Sequence, residues 1–230
     1  MTVPSFAELA KMFDHSLLQP VLTDAELERG CLLAREYNVA SVCIKPYAVK
    51  LAAKLLAGST VQASTTIGFP HGGHLTKVKV YEAELAMADG ATELDMVVNI
   101  GKVLSDEWNA VASDIAAVVE TAHAGGAKVK VIFENAYLQD RHKIELCRIC
   151  GEVRADWVKT STGYAETGAT IEDLTLMRKH SPAWVQVKAA GGVRTLEKLL
   201  QVREIGVTRV GATATKAILD EAKARLGEGE

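Results

Sequence analysis

The sequence predicts an α/β protein whose residues 1–230 form one domain, a single (β/α)8 TIM barrel with an extra N-terminal helix ahead of its first strand. Three observations carry this expectation. Eight short β-rich runs alternate with longer helical patterns along the chain, with no Pro/Ser linker between them. The intervening segments are long enough for the crossovers that parallel pairing requires, and eight such units favour a closed barrel over an open sheet. No Gly-x-Gly-x-x-Gly signature follows the first strand, which argues against a dinucleotide-binding sheet. At 230 residues and 48% hydrophobic composition, the chain can fill one sizeable core.

The elements follow in order. Ser5 with Glu8 has capping-box spacing and opens the extra helix. His15 to Leu18 is the first strand, and Thr23 with Glu26 repeats the box at the next helix. Ala40 to Lys45 and Val61 to Gly68 are the second and third strands, and Gly90 closes the helix that follows. Thr92 to Val98, Lys128 to Phe133 and Trp157 to Thr160 are the fourth to sixth strands. Thr170 then caps a helix that leads to Trp184 to Ala189. Thr195 opens the next helix and Gly206 ends it, before the last strand, Thr208 to Gly211, and a helix over Lys216 to Leu226.

Charge excludes some function classes. Charged residues make up 24% of the chain, the net charge is −3, and Lys and Arg are scattered. No basic stripe points to nucleic acid or to an anionic membrane, so a small molecule is the expected partner. Met1 to Phe13 lacks the basic segment and apolar run of a signal peptide, and no apolar stretch reaches membrane-spanning length. A soluble, cytoplasmic protein is expected. Four cysteines are too few for a disulfide scaffold in a chain of this length.

Strand alternation places chemistry in the lumen. Period two puts Glu93, Asp95, Val97 and Asn99 inward on the fourth strand, with Leu94, Met96 and Val98 outward. Lys130 points inward on the fifth strand, Lys159 with Trp157 on the sixth, and Lys188 with Trp184 and Gln186 on the seventh. One carboxylate and three lysines therefore converge. A purely structural ion-pair network would leave buried charge uncompensated, at a cost of several kcal/mol for each ion. Active sites on this fold lie at the C-terminal ends of the strands, where Lys159 and Lys188 stand. A lysine beside a second ammonium and a low-dielectric wall sheds its proton near neutral pH and becomes a nucleophile toward carbonyls.

The segments Glu93 to Asn99, Lys130 to Glu134, Val158 to Gly163 and Val187 to Thr195, with Asp14 to Leu18 and Gly68 to Gly72, resemble those of the deoxyribose-phosphate aldolase family, in order across nearly the whole chain. The resemblance implies a class I carbon-carbon lyase, free of metal and of any other cofactor. Such an enzyme reversibly cleaves 2-deoxy-D-ribose 5-phosphate to D-glyceraldehyde 3-phosphate and acetaldehyde, in deoxyribonucleotide catabolism. It implies that Lys159 forms the Schiff base, that Lys188 lowers its pKa and that Asp95 is the carboxylate of a proton relay, with Asp14 and Lys130 as supporting polar residues. Phosphate recognition is expected from Gly191 and Gly192 after the seventh strand, from Gly211 and Thr213 before the last helix, from Gly163 in the sixth loop and from the charge of Arg194.

Two departures from the family pattern concern the phosphate. Many relatives carry two serines where this chain has Thr213 and Ala214, and Tyr164 supplies no positive charge after Gly163. Other single residues are read as structural. Cys43 shares the lumen face of the second strand but reads as a small core residue. Cys147 and Cys150 fall in a helical pattern without a second pair, and His71 and His74 flank two glycines in a loop. Two alternative functions remain at this stage: a related Schiff-base lyase or transaldolase-like enzyme with another aldehyde or ketone donor, and a non-catalytic sugar-phosphate binder. Barrels of this kind often associate, but no segment marks a homo-oligomer interface.

Overall fold

In the computed structural model, which describes residues 4–226, eight parallel strands hydrogen-bond in chain order and close into a barrel. Helix α1 (Phe6–Ala10) precedes β1 (Phe13–Leu17), followed by α2 (Asp24–Glu36), β2 (Ser41–Ile44), α3 (Val49–Leu56), β3 (Gln62–Ile67) and α4 (Thr76–Ala88). Next come β4 (Glu93–Val97), a short α5 (Ile100–Leu104), a longer α6 (Trp108–Ala124), β5 (Lys128–Ile132) and α7 (Asp140–Glu152). The chain continues through β6 (Trp157–Lys159), α8 (Ile171–His180), β7 (Gln186–Ala190), α9 (Leu196–Glu204), β8 (Val207–Ala212) and α10 (Thr215–Leu226). Strand β8 returns to β1 with Gly211 opposite Asp14, which closes the barrel.

The capping signals act where the sequence placed them. The Glu8 and Glu26 carboxylates accept from the backbone N–H of Ser5 and Thr23 at 2.8 and 2.7 Å. The hydroxyls of Thr170 and Thr195 accept from the N–H of Asp173 and Lys198 at 3.1 and 3.2 Å, each cap contributing about 1 kcal/mol. Gly90 and Gly206 follow α4 and α9 with φ of +103° and +95°, a region that costs glycine nothing.

The outward faces of the strands form the main core. Phe13, Val42, Leu94, Met96, Val129, Val131, Val158, Val187 and Val210 are buried beneath the helices. At roughly 1.5–3 kcal/mol for each such side chain, this layer is the principal force holding the helices to the barrel. The inner face differs. Barrels of this fold are usually filled by branched apolar residues, whereas here Asp14, Glu93, Asp95, Lys130, Lys159 and Lys188 are all buried.

Some expectations need correction. Trp184 is not a lumen residue: Val185 N–H donates to the Pro182 carbonyl at 3.0 Å, and this turn holds Trp184 outside the ladder, 63% exposed. Strand β7 begins at Gln186, whose N–H reaches the Asp156 carbonyl at 2.9 Å. Asn99 lies past the end of β4, where its side chain caps α5 by accepting from Lys102 N–H at 3.2 Å. The first strand begins at Phe13, because Val210 N–H and Ala40 N–H pair with the carbonyls of Met12 and Phe13 before His15 is reached. Among the described residues, no helix is long and apolar enough to cross a membrane.

Candidate active site

Register explains why the charged residues meet. Parallel pairing sets Asp95 level with Lys130, and Lys159 level with Lys188. Side chains level with one another across parallel strands share a face, so all four enter the lumen. Asp95 lies at the centre. Its Oδ2 accepts from Lys159 Nζ at 2.8 Å and from Lys188 Nζ at 2.7 Å, while Oδ1 accepts from Lys130 Nζ at 2.9 Å. Asp14 lies 2.5 Å from Lys188 Nζ and 3.4 Å from Lys130 Nζ, and also accepts from Ser41 at 2.7 Å.

Two residues complete this network that the sequence reading left without a role. Glu93 pairs with Lys130 at 2.6 Å, and Arg209 on β8 binds Asp14 at 2.6 Å and Glu93 through both terminal nitrogens at 2.9 and 2.8 Å. Trp157 floors the cluster, with the Arg209 guanidinium 5.0 Å and the Lys130 ammonium 5.7 Å from its ring centre. The signal for Arg209 was available: Gly211 faces the lumen, and period two puts Arg209 on the same face.

The surroundings separate the three lysines. For Lys159, burial lowers the pKa and the Lys188 ammonium lowers it further, which outweighs Asp95, so it sits below the usual lysine value. For Lys188, burial alone would do the same, but Asp14 and Asp95 together overcome it and hold the group above its usual value. Lys130, opposed by burial but facing Asp14, Asp95 and Glu93, is held well above it. Burial would raise the Asp95 carboxyl, yet Lys130, Lys159 and Lys188 hold it well below the carboxylate range. The cluster thus holds two ammonium groups above the usual lysine value and one, that of Lys159, below it.

Above the cluster opens a cavity of about 170 Å³, lined by Lys159, Lys188, Asp14 and Cys43 at its base. Its rim consists of Gly163, Gly191, Gly192, Arg194, Gly211 and Thr213. All the expected phosphate residues therefore face one space, together with the candidate nucleophile. Asp95 and Lys130 lie beneath, fully buried; Asp95 meets the cavity through the amines of Lys159 and Lys188, and Lys130 stands behind it. Gly191 and Gly192 take φ of +74° and +93°, and a Cβ on Gly191 would stand 2.9 Å from Gly168 Cα, so the sixth loop and the end of β7 approach too closely for a side chain. A Cβ on Gly211 would lie 3.4 Å from Lys188 Cε, so this glycine also gives the lysine its room.

Glu134 is a further residue the sequence reading passed over. It sits at φ +59°, buried, with its carboxylate accepting from the Thr162 N–H at 3.1 Å and from the Thr162 hydroxyl, which fixes the approach to Gly163. Tyr164 donates its hydroxyl to the Leu18 carbonyl at 2.8 Å and packs edge-on to Phe69 at 5.5 Å, roofing the cavity. Ala214 packs against the core. Cys43 lines the cavity, with its thiol pushed up by burial and by Asp95. Cys147 and Cys150 are buried in α7, and burial raises both thiols, Cys147 to about 11, away from ready ionisation. His71 and His74 are exposed in the loop after β3, where a Cβ on Gly72 would strike the Val98 carbonyl oxygen at 1.8 Å.

Residues 8–218 match the family model described as DeoC/LacD family aldolase. The chain is 59% identical to a deoxyribose-phosphate aldolase of Rhodopirellula baltica over 96% of this chain and 92% of the relative. It is 45% identical to a deoxyribose-phosphate aldolase of Thermococcus kodakarensis over 94% of this chain and 97% of that one. Among solved structures, the tetrameric deoxyribose phosphate aldolase of Aeropyrum pernix superposes with a TM-score of 0.86 at 30% identity, covering 96% of this chain and 93% of that one.

Proposed function

Since the chain belongs to the DeoC/LacD aldolase family, we propose that it reversibly cleaves 2-deoxy-D-ribose 5-phosphate to D-glyceraldehyde 3-phosphate and acetaldehyde, with Lys159 as the Schiff-base nucleophile. The observation that carries the assignment to Lys159 is its environment: a buried amine at the base of the cavity, bonded to one carboxylate oxygen that it shares with Lys188. The uncharged amine attacks the aldehyde carbon of the open-chain sugar, and the carbinolamine loses water to give a protonated imine. The imine withdraws electrons as the C2–C3 bond breaks and the C3 hydroxyl gives up its proton. This step releases D-glyceraldehyde 3-phosphate and leaves an enamine on C1 and C2. Protonation at C2 and hydrolysis then free acetaldehyde and restore the amine.

The other groups have graded roles in this reading. The Lys188 ammonium, held charged by Asp14 and Asp95, donates a proton to the departing carbinolamine hydroxyl. Asp95, through a water, relays protons between the C3 hydroxyl and C2. Its low proton affinity makes it a conduit and not a store. Lys130 and Asp14 hold Asp95 and Lys188 in place. At the rim, Gly163, Gly191, Gly192, Gly211 and Thr213 receive the phosphate, and Arg194 supplies the charge that Tyr164 does not.

Incubation with acetaldehyde and borohydride, followed by peptide mass mapping, tests the assignment. A reduced adduct on Lys159, suppressed by deoxyribose 5-phosphate, is the expected result, and no adduct on any lysine of the folded protein would overturn it. Arg194→Ala is expected to raise KM for the phosphorylated sugar roughly tenfold, the scale of one charged hydrogen bond, and to leave free deoxyribose almost unaffected. An equal rise for both sugars would mean that Arg194 does not read the phosphate.

A further inference from the structure

Four bases meet three carboxylates in the lumen, and their partners are unequal. Lys130 faces Asp14, Glu93 and Asp95, Lys188 faces Asp14 and Asp95, and Arg209 faces Asp14 and Glu93. Lys159 faces Asp95 alone, through an oxygen that Lys188 also holds. With every group ionised, the cluster would bury one uncompensated positive charge, a costly state that is relieved when one base gives up a proton. A guanidinium cannot do so. Of the three amines, Lys159 loses least by it, having a single shared carboxylate.

The remaining surroundings do not alter this count. Around the cluster that Lys159 joins through Asp95, β1 contributes Asp14, β2 the Cys43 thiol, which burial pushes up, β3 the neutral Ser64 hydroxyl, β4 Glu93, β5 Lys130, β7 Lys188 and β8 Arg209. The backbone is shaped to bring in the last of these. A break in register between Val187 and Lys188 sets Lys188 level with Arg209, where an unbroken ladder would have set it level with Thr208. Bulges of this kind commonly redirect side chains beside active sites.

We propose that Arg209 is a positioning residue for the reaction: anchored on Glu93, its permanent charge keeps the lumen one base richer than its carboxylates, so that the base left uncharged is Lys159. Without Arg209, three bases would balance three carboxylates and Lys159 would keep its proton. The inference rests on the assignment of Lys159 as the nucleophile.

The test follows the pH midpoint of acetaldehyde trapping at Lys159 by cyanoborohydride, read by peptide mass in variants whose fold is checked by circular dichroism. Arg209→Met is expected to raise the midpoint by about one unit, and Arg209→Lys to leave it near that of the unaltered protein. Glu93→Gln removes a carboxylate and is expected to lower it. The double variant Arg209→Met/Glu93→Gln has three bases and two carboxylates, restores the excess, and is expected to return the midpoint to within a few tenths of a unit. An unmoved midpoint in Arg209→Met, or a double variant that stays with it, would overturn the proposal while leaving the nucleophile in place. If Arg209→Met does not fold, Glu93→Gln and the double variant decide: a downward shift in the first, reversed in the second, upholds it, and no shift overturns it. Failure of the unaltered protein to trap at any pH would remove the assignment of Lys159 instead.

Discussion

Lys159→Met is expected to abolish cleavage of deoxyribose 5-phosphate, with kcat/KM falling by about 10⁴-fold or more, the scale of deleting a covalent nucleophile. Methionine matches the four-atom apolar stem of lysine, with sulfur in place of Cδ, and lacks the terminal amine. The fold should tolerate it, because the resting lumen is electrically balanced when Lys159 carries no charge, and Asp95 keeps its bonds to Lys130 and Lys188. The midpoint of thermal unfolding is therefore expected to stay within a few degrees. Glyceraldehyde 3-phosphate release and differential scanning calorimetry check the two halves separately. Turnover within about tenfold of the unaltered protein would move the nucleophile elsewhere. A loss of about 3 kcal/mol or more in stability would instead mean that Lys159 is charged at rest, since removing one partner of a buried ion pair costs that much.

The sequence made legible whatever depends on period and spacing. Eight strands, the extra helix and the caps at Ser5, Thr23, Thr170 and Thr195 all stand close to their expected positions, because each is decided within a few residues. Alternation brought Asp95, Lys130, Lys159 and Lys188 to one lumen for the same reason. Trp184 went wrong at a strand end, where a turn closed by Pro182 decides whether the next residue joins the ladder. Arg209 and Glu93 were missed for a different reason. Glu93 enters the lumen by ordinary parity and Arg209 by its parity with Gly211 beyond the register break, but their role comes from partners on β1, β4 and β5, far away in the chain. Glu134 was hidden more deeply, since its left-handed backbone and its hold on Thr162 leave no mark in composition or spacing.

Lys188→Leu is expected to raise the acid limb of the kcat/KM profile, and two effects act in the same direction. The substitution removes a like charge that disfavours protonation of Lys159, and it leaves Asp95 Oδ2 to Lys159 alone, which favours the ammonium. The pKa of Lys159 rises, so the fraction of uncharged amine at a given pH falls. The limb should move up by at least about one unit, and the rate at neutral pH should fall by at least about tenfold from this cause alone, before the loss of the Lys188 proton donor is counted. Asp14 remains paired with Arg209 and Lys130, so its carboxylate is not stranded and the protein should still fold. Comparing the rate profile with the pH dependence of adduct formation on Lys159 separates the two roles. A raised limb in both measurements ties Lys188 to the charge state of the nucleophile. A uniform drop in rate with unmoved limbs would confine Lys188 to proton donation, and the electrostatic account of Lys159 would then have to rest on burial and on Arg209.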